Sequence, residues 1–581
     1  MAQFDVVIKD GMIFDGRRNP RFRGDVGIVD GRVAEVGRLR VSDARRVVDA
    51  TGLHVAPGFI DLHTHYDSQI FWDPYCSTSG WHGITSVVIG NCGFGFSPVR
   101  REERERAMLT MTRNEAVPLA AMKEGMPWDW ETFPEFLDSV DRVPKSVNVL
   151  AYVPLNPVMV WAMGLERAKS GVLPSDAEHA EMQRILTEAM AAGASGVSAQ
   201  RMGTRSVQRD YDGTPMATDL MHDETMLALA DVLSDLNDGF IQYTYVDIAA
   251  AMSGDHSTRE SRVHPHIELV AARSGRPVIV GGAGEADGEW LAACREKGLR
   301  IHGMGNTVTY LSQPMITNLA EGPNLVDFSV AWCQATVGSI EEVKAKFARR
   351  EVRDAMRADL PILEAALGKI SDWVLLRGVN PSIAKFDETP LGHVASAMGI
   401  DDLLDAFCEI NIADDLRTKW YWELGGGSLL GSRLETHKAM ADDPYMIPGI
   451  SDGGAHTKYS TTGNYPTSYL MHYVREQGWH TLEDAHWRLS GLPAHCAGFR
   501  DRGVIAEGAA ADIVVYDYEN LAISERETVY DYPANEWRVV DRGIGYRYAL
   551  VNGEITIEND KQTNATSGHL LRNGRGPRSG R

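Results

Sequence analysis

The stretch PGFIDLHTHYDSQ at residues 57–69 decides how the rest of the chain is interpreted. A strand-like run, FIDL, is followed by His63 and His65 with one residue between them. Residues i and i+2 of a strand point to the same side, so both imidazoles can reach one ion. Neutral imidazole binds Zn²⁺ and related metals. The pattern predicts a metal site at the end of a first strand, with a structural histidine pair as the alternative.

Outward from this stretch, β-branched runs alternate with helical runs, which is typical of βαβ units. One such helix is predicted at 175–193, between a serine N-cap and a glycine stop. We therefore expect an α/β fold built on a (β/α)8 TIM barrel, in which functional groups collect at the carboxyl ends of the strands. The eight strand candidates are 58–67, 84–93, 146–156, 194–201, 239–247, 276–284, 298–305 and 446–456.

Strand candidates seven and eight are separated by far more chain than one helix needs, which predicts an insertion at about 306–445. A lid or substrate wall and an oligomer contact are both open as its role. The two ends of the chain are rich in short strands with Asp-Gly or Asn-Gly turns. We expect them to form one small β-sandwich domain (1–56 and 496–570) beside the barrel (57–495), followed by a flexible basic tail (571–581).

Composition narrows the function classes. The 581 residues exceed one simple domain, and the formal net charge of −22 argues against nucleic acid or an anionic membrane as the main partner. No apolar run reaches the length of a membrane span, and no secretory signal is visible at the N-terminus. The six cysteines form no CxxC pair, and such scattered cysteines are typical of proteins whose thiols stay reduced. We expect a cytoplasmic protein with a small-molecule substrate; a homo-oligomer is left open.

Two further strand ends carry candidate ligands. Asp452 follows strand eight in ISDGGAH (450–456), where a carboxylate can ligate a metal and accept a proton from metal-bound water. We predict it as metal ligand and catalytic base, with a turn or N-cap aspartate as the alternative. His456 is a candidate for metal or substrate binding, or a structural histidine. Cys92, in IGNCGFGFSP (89–98), is a candidate zinc thiolate or a buried thiol.

The blocks PGFIDLHTHYDSQ, IGNCGFGFSP and ISDGGAH, together with LPAHCAGFRDRGVIAEGAAADIVVYD (492–517), resemble the N-acyl-D-amino-acid deacylase (D-aminoacylase) branch of the amidohydrolase superfamily. The resemblance extends from about residue 3 to 570. It implies a β-sandwich with a barrel, a zinc site and hydrolysis of an amide by metal-bound water. It carries over His63, His65, Cys92 and Asp452, with the aspartate as general base and then as acid to the leaving amine.

The sequence departs from this family pattern at strands five and six, where the family has a histidine at each strand end. Here the strands read IQYTYVD and VIVGGAG. We therefore expect one ion rather than two, Zn²⁺ or another divalent metal, near His63, His65 and Asp452, unless other ligands substitute. The other candidates for metal or substrate contact are His302, which we place at the end of strand seven, and Tyr245.

Four residues after strands three and four are candidate substrate contacts. Tyr152, Asn156 and Gln200 could donate hydrogen bonds to a carbonyl, and Arg201 could pair with a carboxylate or form an internal salt bridge. The leading hypothesis is hydrolysis of a C–N bond in an N-acylated amine or amino acid. The alternatives are hydrolysis of an ester, lactone, carbamate or urea-like bond, and an inactive amidohydrolase-like binding or scaffold protein.

Overall fold

Both ends of the chain contribute to one sheet. The computed structural model describes residues 3–245, 259–306, 315–422 and 434–572. Val6, Ile8 and Val26 are buried on one side of this sheet, as their alternation along the strands predicts. The N-terminal strands are β1 (Phe4–Ile13), β2 (Phe22–Val29), β3 (Arg32–Gly37), β4 (Ala44–Asp49) and β5 (His54–Pro57).

A second set of strands pairs in parallel in chain order. β6, β7 and β8 form one run, and β9 to β13 form the next. Only Tyr152 separates β8 from β9, so the two short strands occupy one position. The strands are β6 (Phe59–Asp61), β7 (Ile84–Ile89), β8 (Asn148–Ala151), β9 (Val153–Pro154), β10 (Gly196–Gln200), β11 (Phe240–Thr244), β12 (Val278–Gly281) and β13 (Ile301–Asn306).

Helices connect these strands, as the alternating pattern predicts. The predicted helix at 175–193 is confirmed: Ser175 caps Asp176–Ala192 by accepting a hydrogen bond from the backbone of Glu178, and Gly193 ends it at φ 112°. The other helices before β13 are Ser77–Gly80, Arg104–Glu115, Leu119–Gly125, Phe133–Arg142, Leu155–Met163, Leu165–Ala168, Asp223–Leu236, His264–Ser274 and Gly288–Glu296. In the described part of the chain, no helix has the length and apolarity that crossing a bilayer requires.

The segment after β13 is the predicted insertion, and it has its own core. Trp332, Trp373 and Trp420 are buried together there. An antiparallel sheet in the order β14-β17-β15-β16 was not predicted, because its strands have at most four residues each. They are β14 (Met315–Thr317), β15 (Val374–Arg377), β16 (Thr389–Pro390) and β17 (Lys419–Trp422). The helices are Val330–Ala335, Ile340–Phe347, Arg350–Ala358, Leu360–Leu367, Pro381–Ala384, Leu391–Met398 and Leu403–Ala413.

The chain then returns to the parallel strands. After helix Leu434–Asp442, β18 (Met446–Gly449) pairs with β13. A parallel bridge between Thr64 and Gly453 links the segment after β18 to the segment after β6. Ile60, Leu150 and Ile447, from three of these strands, lie in one buried cluster. The segments that follow the first and the last parallel strand therefore lie side by side.

Four C-terminal strands complete the sheet that contains β1 to β5. Its strand order is β26-β25-β24-β19-β5-β1-β2-β3, with β4 paired to β1. Helices Tyr465–Ser468, Leu482–His486 and Leu492–Ala497 precede them. Of the expected basic tail, residues 573–581 lie outside the described residues. β20 pairs with β23, and β21 with β22, in two separate two-stranded sheets. The C-terminal strands are β19 (Ile513–Tyr516), β20 (Ala522–Ile523), β21 (Glu527–Val529), β22 (Arg538–Val540), β23 (Gly543–Ile544), β24 (Tyr546–Val551), β25 (Glu554–Glu558) and β26 (Lys561–Gln562).

Candidate metal centre

The four predicted ligands lie together. Nε2 of His63 is 3.4 Å from Sγ of Cys92 and 3.3 Å from Oδ1 of Asp452. Nε2 of His65 is 3.7 Å from the same carboxylate oxygen. The ligand atoms of His63, His65 and Cys92 all lie within 4.8 Å of one another. Ligand atoms held by one tetrahedral zinc ion are about 3.3–3.6 Å apart, so His63, His65 and Cys92 are close enough to share one ion, and Asp452 lies beside the two histidines.

The histidines lie just beyond their strand rather than in it. β6 ends at Asp61, and His65 then donates its backbone N–H to Gly453 O at 2.8 Å. Ser451 donates its hydroxyl to the Asp61 carboxylate. The segment after β18 approaches so closely that a Cβ at Gly454 (φ 90°) would lie 2.7 Å from the Tyr66 ring. Glycine is therefore required there, and this contact brings Asp452 to the histidines.

Cys92 reaches the histidines through a strained turn. Its own φ is 57°, between Gly90 at φ 80° and Gly93 at φ 78°. Its backbone N–H donates to Oε1 of Gln242 at 3.1 Å, and Gly93 donates to Oγ of Ser198 at 3.1 Å. A left-handed non-glycine residue is uncommon and persists where its surroundings hold it. These bonds fix the thiol beside His63.

On the fifth and sixth strand positions, where the family has histidines, the residues near the site are Gln242, with its side-chain amide, and Gly281. A Cβ at Gly281 would lie 3.1 Å from Nε2 of Gln242 and 3.8 Å from Cε1 of His63. Thr244 Oγ1 lies 3.5 Å from the Cys92 sulfur. The sequence analysis missed Gln242, which supports the cysteine. Tyr245 contributes its backbone N–H to Gly281 O, and its buried side chain packs in the large hydrophobic cluster.

Glu115 is a second residue that the sequence analysis missed. It ends the helix Arg104–Glu115 and is 0% exposed. Its Oε1 lies 3.6 Å from Nε2 of His65, and its Oε2 lies 3.2 Å from Nε2 of His456. One sequence signal points to it, because a carboxylate in the last turn of a helix opposes the helix dipole and is unfavourable without another partner.

The site contains buried polar groups that lack partners. Nε2 of His65 and both carboxylate oxygens of Glu115 make no hydrogen bond. Burial raises the pKa of Asp452 to about 7 and lowers the pKa of His63 to about 3. Burial, with the neighbouring Asp452 charge, also raises the pKa of Glu115, and burial raises the pKa of the Cys92 thiol. Buried groups of this kind are stabilised by a cation, and the imidazole, thiol and carboxylate set suits zinc.

His302 does not belong to this cluster. The prediction that it lies at the end of strand seven is wrong, because β13 continues from Ile301 to Asn306 and His302 is near its beginning. Its ring lies 6.5 Å from the His495 ring and 6.0 Å from the Tyr445 ring. It therefore faces the side of the molecule on which helix Leu492–Ala497 packs.

Arg201 is bound within the protein. It forms an ion pair with Asp223 at 2.8 Å, and its other terminal nitrogen lies 2.6 Å from Nε2 of His266. The expectation that it pairs with a substrate carboxylate is therefore corrected in favour of the internal salt bridge. Gln200 likewise donates to Asp219 at 2.9 Å and to a backbone carbonyl, which holds the loop after β10.

Tyr152 and Asn156 differ in position. Tyr152 is buried with its ring 4.9 Å from the Phe240 ring, in the cluster that also contains Ile60, Leu150 and Ile447. Asn156 accepts a hydrogen bond from the backbone of Ala217 at 2.9 Å and also lines a small cavity of about 30 Å³. Phe94 lines the same cavity and stacks on His65, with ring centroids 5.6 Å apart. Asn156 and the cavity therefore adjoin the cluster, whereas Tyr152 fills the core.

Comparison with known proteins assigns this site to a family. The model of the Amidohydrolase family matches residues 46–323 and 375–557, which include all of the clustered side chains. The chain belongs to the Amidohydrolase family. The unmatched interval lies in the predicted insertion, so this amidohydrolase departs from the family model at the helices around Trp332 and Trp373.

Some relatives of this amidohydrolase match a part of the chain, and others match nearly all of it. An uncharacterized protein of Mycobacterium tuberculosis is 39% identical over 202 residues, which are 34% of this chain and only 32% of that relative. A D-aminoacylase of Alcaligenes xylosoxydans xylosoxydans is 26% identical over 585 residues, 98% of this chain and 97% of that enzyme. The crystal structure of N-acyl-D-glutamate deacylase from Bordetella bronchiseptica, complexed with zinc and a phosphonate inhibitor, is 23% identical with a TM-score of 0.64, covering 98% and 99% of the two chains. The amidohydrolase shares the fold of that enzyme.

Proposed function

We propose that this protein is a metal-dependent hydrolase that cleaves the C–N amide bond of a small N-acylated amine or amino acid. The observation that carries the proposal is the convergence of His63, His65 and Cys92, whose ligand atoms lie close enough together to share one ion, with Asp452 beside both histidines. Two relatives that match along nearly the whole chain are named D-aminoacylase and N-acyl-D-glutamate deacylase, which supports an amide as the bond that is cleaved.

For the framework, we infer that the eight parallel strand positions close into a (β/α)8 barrel. The support is the run of parallel pairs in chain order and the bridge between Thr64 and Gly453. The sheet from both termini is the proposed β-sandwich domain, with the boundaries 1–56, 57–495 and 496–570. Strand β18 ends at Gly449, so Asp452 would lie on a loop at the carboxyl-end face of this barrel.

For the cofactor, we propose Zn²⁺, with His63, His65, Cys92 and Asp452 as its ligands. A bound zinc ion supplies electrophilic polarisation of a carbonyl and lowers the pKa of water. Phe94, stacked on His65, fixes the plane of that imidazole, and the Gln242 amide fixes the cysteine backbone. Such supporting contacts orient ligands before the ion binds.

For the proton transfers, we propose Asp452 as the base that takes a proton from the attacking water and the acid that gives it to the leaving nitrogen. Its side chain is 15% exposed, whereas those of His63 and His65 are 2% and 1% exposed, so it is the carboxylate a substrate can approach. An amide nitrogen is a poor leaving group unless it is protonated, which is why a proton carrier is needed within hydrogen-bond reach.

For the substrate, we propose an N-acylated amine or amino acid that approaches the side of the site next to Phe94, where Asn156 and Trp161 line a small cavity. The test is a mass-spectrometric assay of N-acyl-D-amino acids, N-acyl-L-amino acids, N-acyl amines, esters, lactones and carbamates. We expect the N-acyl compounds to be the best substrates. Turnover of esters or lactones with intact amides would redirect the proposal to the other bond class.

A further inference from the structure

The sulfur of Cys92 lies beside a threonine that the proposed mechanism does not use. Oγ1 of Thr244, the last residue of β11, is 3.5 Å from Sγ of Cys92, within the reach of a hydrogen bond to sulfur. Both side chains are buried, so water does not compete for this contact. β11 is the fifth strand position, at which the family pattern has a histidine. A hydroxyl therefore faces the sulfur from the strand that lacks the histidine.

A neighbouring amide sets the direction of the hydrogen bond between Thr244 and Cys92. The backbone N–H of Cys92 donates to Oε1 of Gln242 at 3.1 Å, so the oxygen of this amide faces the cysteine. The amide nitrogen then faces Thr244 and donates to its Oγ1. Because the threonine oxygen accepts that hydrogen, its own O–H is left to donate to the sulfur. The three residues form a closed ring of hydrogen bonds in which the sulfur is the acceptor.

The sixth strand position leaves room for this ring. Gly281, the last residue of β12, is the partner of Thr244 in the sheet. A Cβ at Gly281 would lie 3.1 Å from Nε2 of Gln242 and 3.5 Å from Oγ1 of Thr244. Glycine within a strand often marks such a close approach. A side chain at this position would press on the amide, so the glycine preserves the ring.

A second donor reaches the same sulfur from the loop after β10. The side chain of Gln208 makes a hydrogen bond to the sulfur of Cys92. Its Oε1 has no hydrogen-bond partner among the described residues, so the amide nitrogen is the donor. The buried side chains of Ser206 and Gln200 both donate to the backbone carbonyl of Gln208 and hold it in place. Two donors from different segments therefore converge on the sulfur.

We propose that Thr244, with Gln208 as a second donor, hydrogen-bonds the metal-bound thiolate of Cys92 and sets how much electron density the sulfur gives to the ion. The ligand form of cysteine is the thiolate, which accepts such hydrogen bonds. Each of them withdraws electron density from the sulfur, and contacts of this kind tune a bound metal. Thr244 is thus a positioning residue that acts through Cys92. The inference rests on the proposed function, because it takes Cys92 as a ligand.

The test is the absorption spectrum of the full chain loaded with Co²⁺. The thiolate-to-cobalt charge-transfer band should move to longer wavelength in Thr244→Val, because loss of the hydrogen bond raises the energy of the sulfur electrons. Thr244→Ser keeps a hydroxyl and should keep the wild-type band position. The matched control is Thr225→Val, since Thr225 is also buried and its hydroxyl lies 3.0 Å from Nε2 of His179. This control should leave the band unmoved.

The outcomes distinguish this inference from the proposed function. A band that moves in Thr244→Val, but not in Thr244→Ser or Thr225→Val, supports the inference. A band unmoved in Thr244→Val, or moved equally in Thr225→Val, overturns it and leaves Cys92 as a ligand. Absence of the band from the cobalt-loaded wild type overturns the cysteine ligand of the proposed function as well. If Thr244→Val does not fold by circular dichroism, Gln208→Leu, at a half-buried loop position, decides: an unmoved band overturns the inference.

Discussion

Nε2 of His63 lies 3.3 Å from Oδ1 of Asp452, although the two residues follow the first and the last parallel strand of the chain. The contact depends on the bridge between Thr64 and Gly453, which brings the two loops together. It is the point at which the parallel strands, the histidine pair and the aspartate form one site.

Cys92 is predicted to bind the metal through its thiolate. The Co²⁺-substituted wild type should show a thiolate-to-cobalt charge-transfer band in the near ultraviolet, because Sγ lies 3.4 Å from the His63 nitrogen in the ligand cluster. Cys92→Ala should lack the band. Cys408→Ala, which alters a buried cysteine in the insertion core, should keep it. A band that persists in Cys92→Ala would assign the sulfur ligand to another residue.

Asp452 is predicted to move the protons of the reaction. Asp452→Asn should lower kcat by about 100- to 10,000-fold, the range attributed to a positioned acid or base. Activity is expressed per bound metal ion, so that loss of metal is separated from loss of proton transfer. Asp442→Asn, at the half-exposed end of helix Leu434–Asp442, is the control and should retain full activity. Near-normal turnover of the metal-loaded Asp452→Asn protein would remove the proposed base.

Gly454 is predicted to set the position of the Asp452 loop. Gly454→Ala should lower the melting temperature and weaken zinc binding, because the added Cβ would lie 2.7 Å from the Tyr66 ring and 3.0 Å from the His65 backbone. Gly478→Ala is a matched control: Gly478 also has positive φ, at 63°, but a Cβ there meets nothing within 4 Å. Both variants carry the cost of a left-handed alanine, roughly 1–2 kcal/mol. Equal losses in the two would show that the contact with Tyr66 is unimportant.

Asp541 is predicted to make the fold sensitive to acid. Burial acts to raise its pKa, but the hydrogen bond and charge of His82, with bonds from Thr461 and Asn464, outweigh it, so the pKa lies below its usual value. A lowered folded-state pKa gives stability that is present above the unfolded pKa of about 3.9 and is lost as pH falls through the folded value.

The measurement for Asp541 is urea unfolding of the wild type and of Asp541→Asn. The wild type should exceed the variant by about 1.5–3 kcal/mol at pH 7, the usual contribution of hydrogen bonds to a charged group. The difference should shrink steadily below about pH 4. A difference that is independent of pH would mean that the carboxylate charge plays no part in the contact with His82.

The sequence was sufficient to bring together the candidate residues that follow strands, and insufficient for a neighbour that does not. His63, Cys92 and Asp452 could be predicted because each follows a β-branched run within a recognisable block. Glu115 could not, because it lies at the end of a helix and meets His65 only through tertiary packing. His302 was misplaced because it was taken for a strand end, whereas it is the second residue of β13.

The fold and the candidate substrate contacts show the same difference between features that local sequence predicts and contacts that tertiary structure makes. The alternation of strands and helices could be read from residue periodicity, whereas the antiparallel sheet of the insertion has strands too short to show a period. Arg201 looked available for a carboxylate, but its pairing with Asp223 depends on how the loop after β10 folds back. Partners brought together by tertiary structure are not visible in local sequence.

The most direct test of the central claim is amide hydrolysis by the wild type before and after chelation, with zinc measured on the same samples. We predict that the purified protein carries zinc, that a chelator removes both zinc and activity, and that adding Zn²⁺ restores activity in the wild type but not in His63→Ala. Undiminished amide hydrolysis by the metal-free wild type would contradict the account.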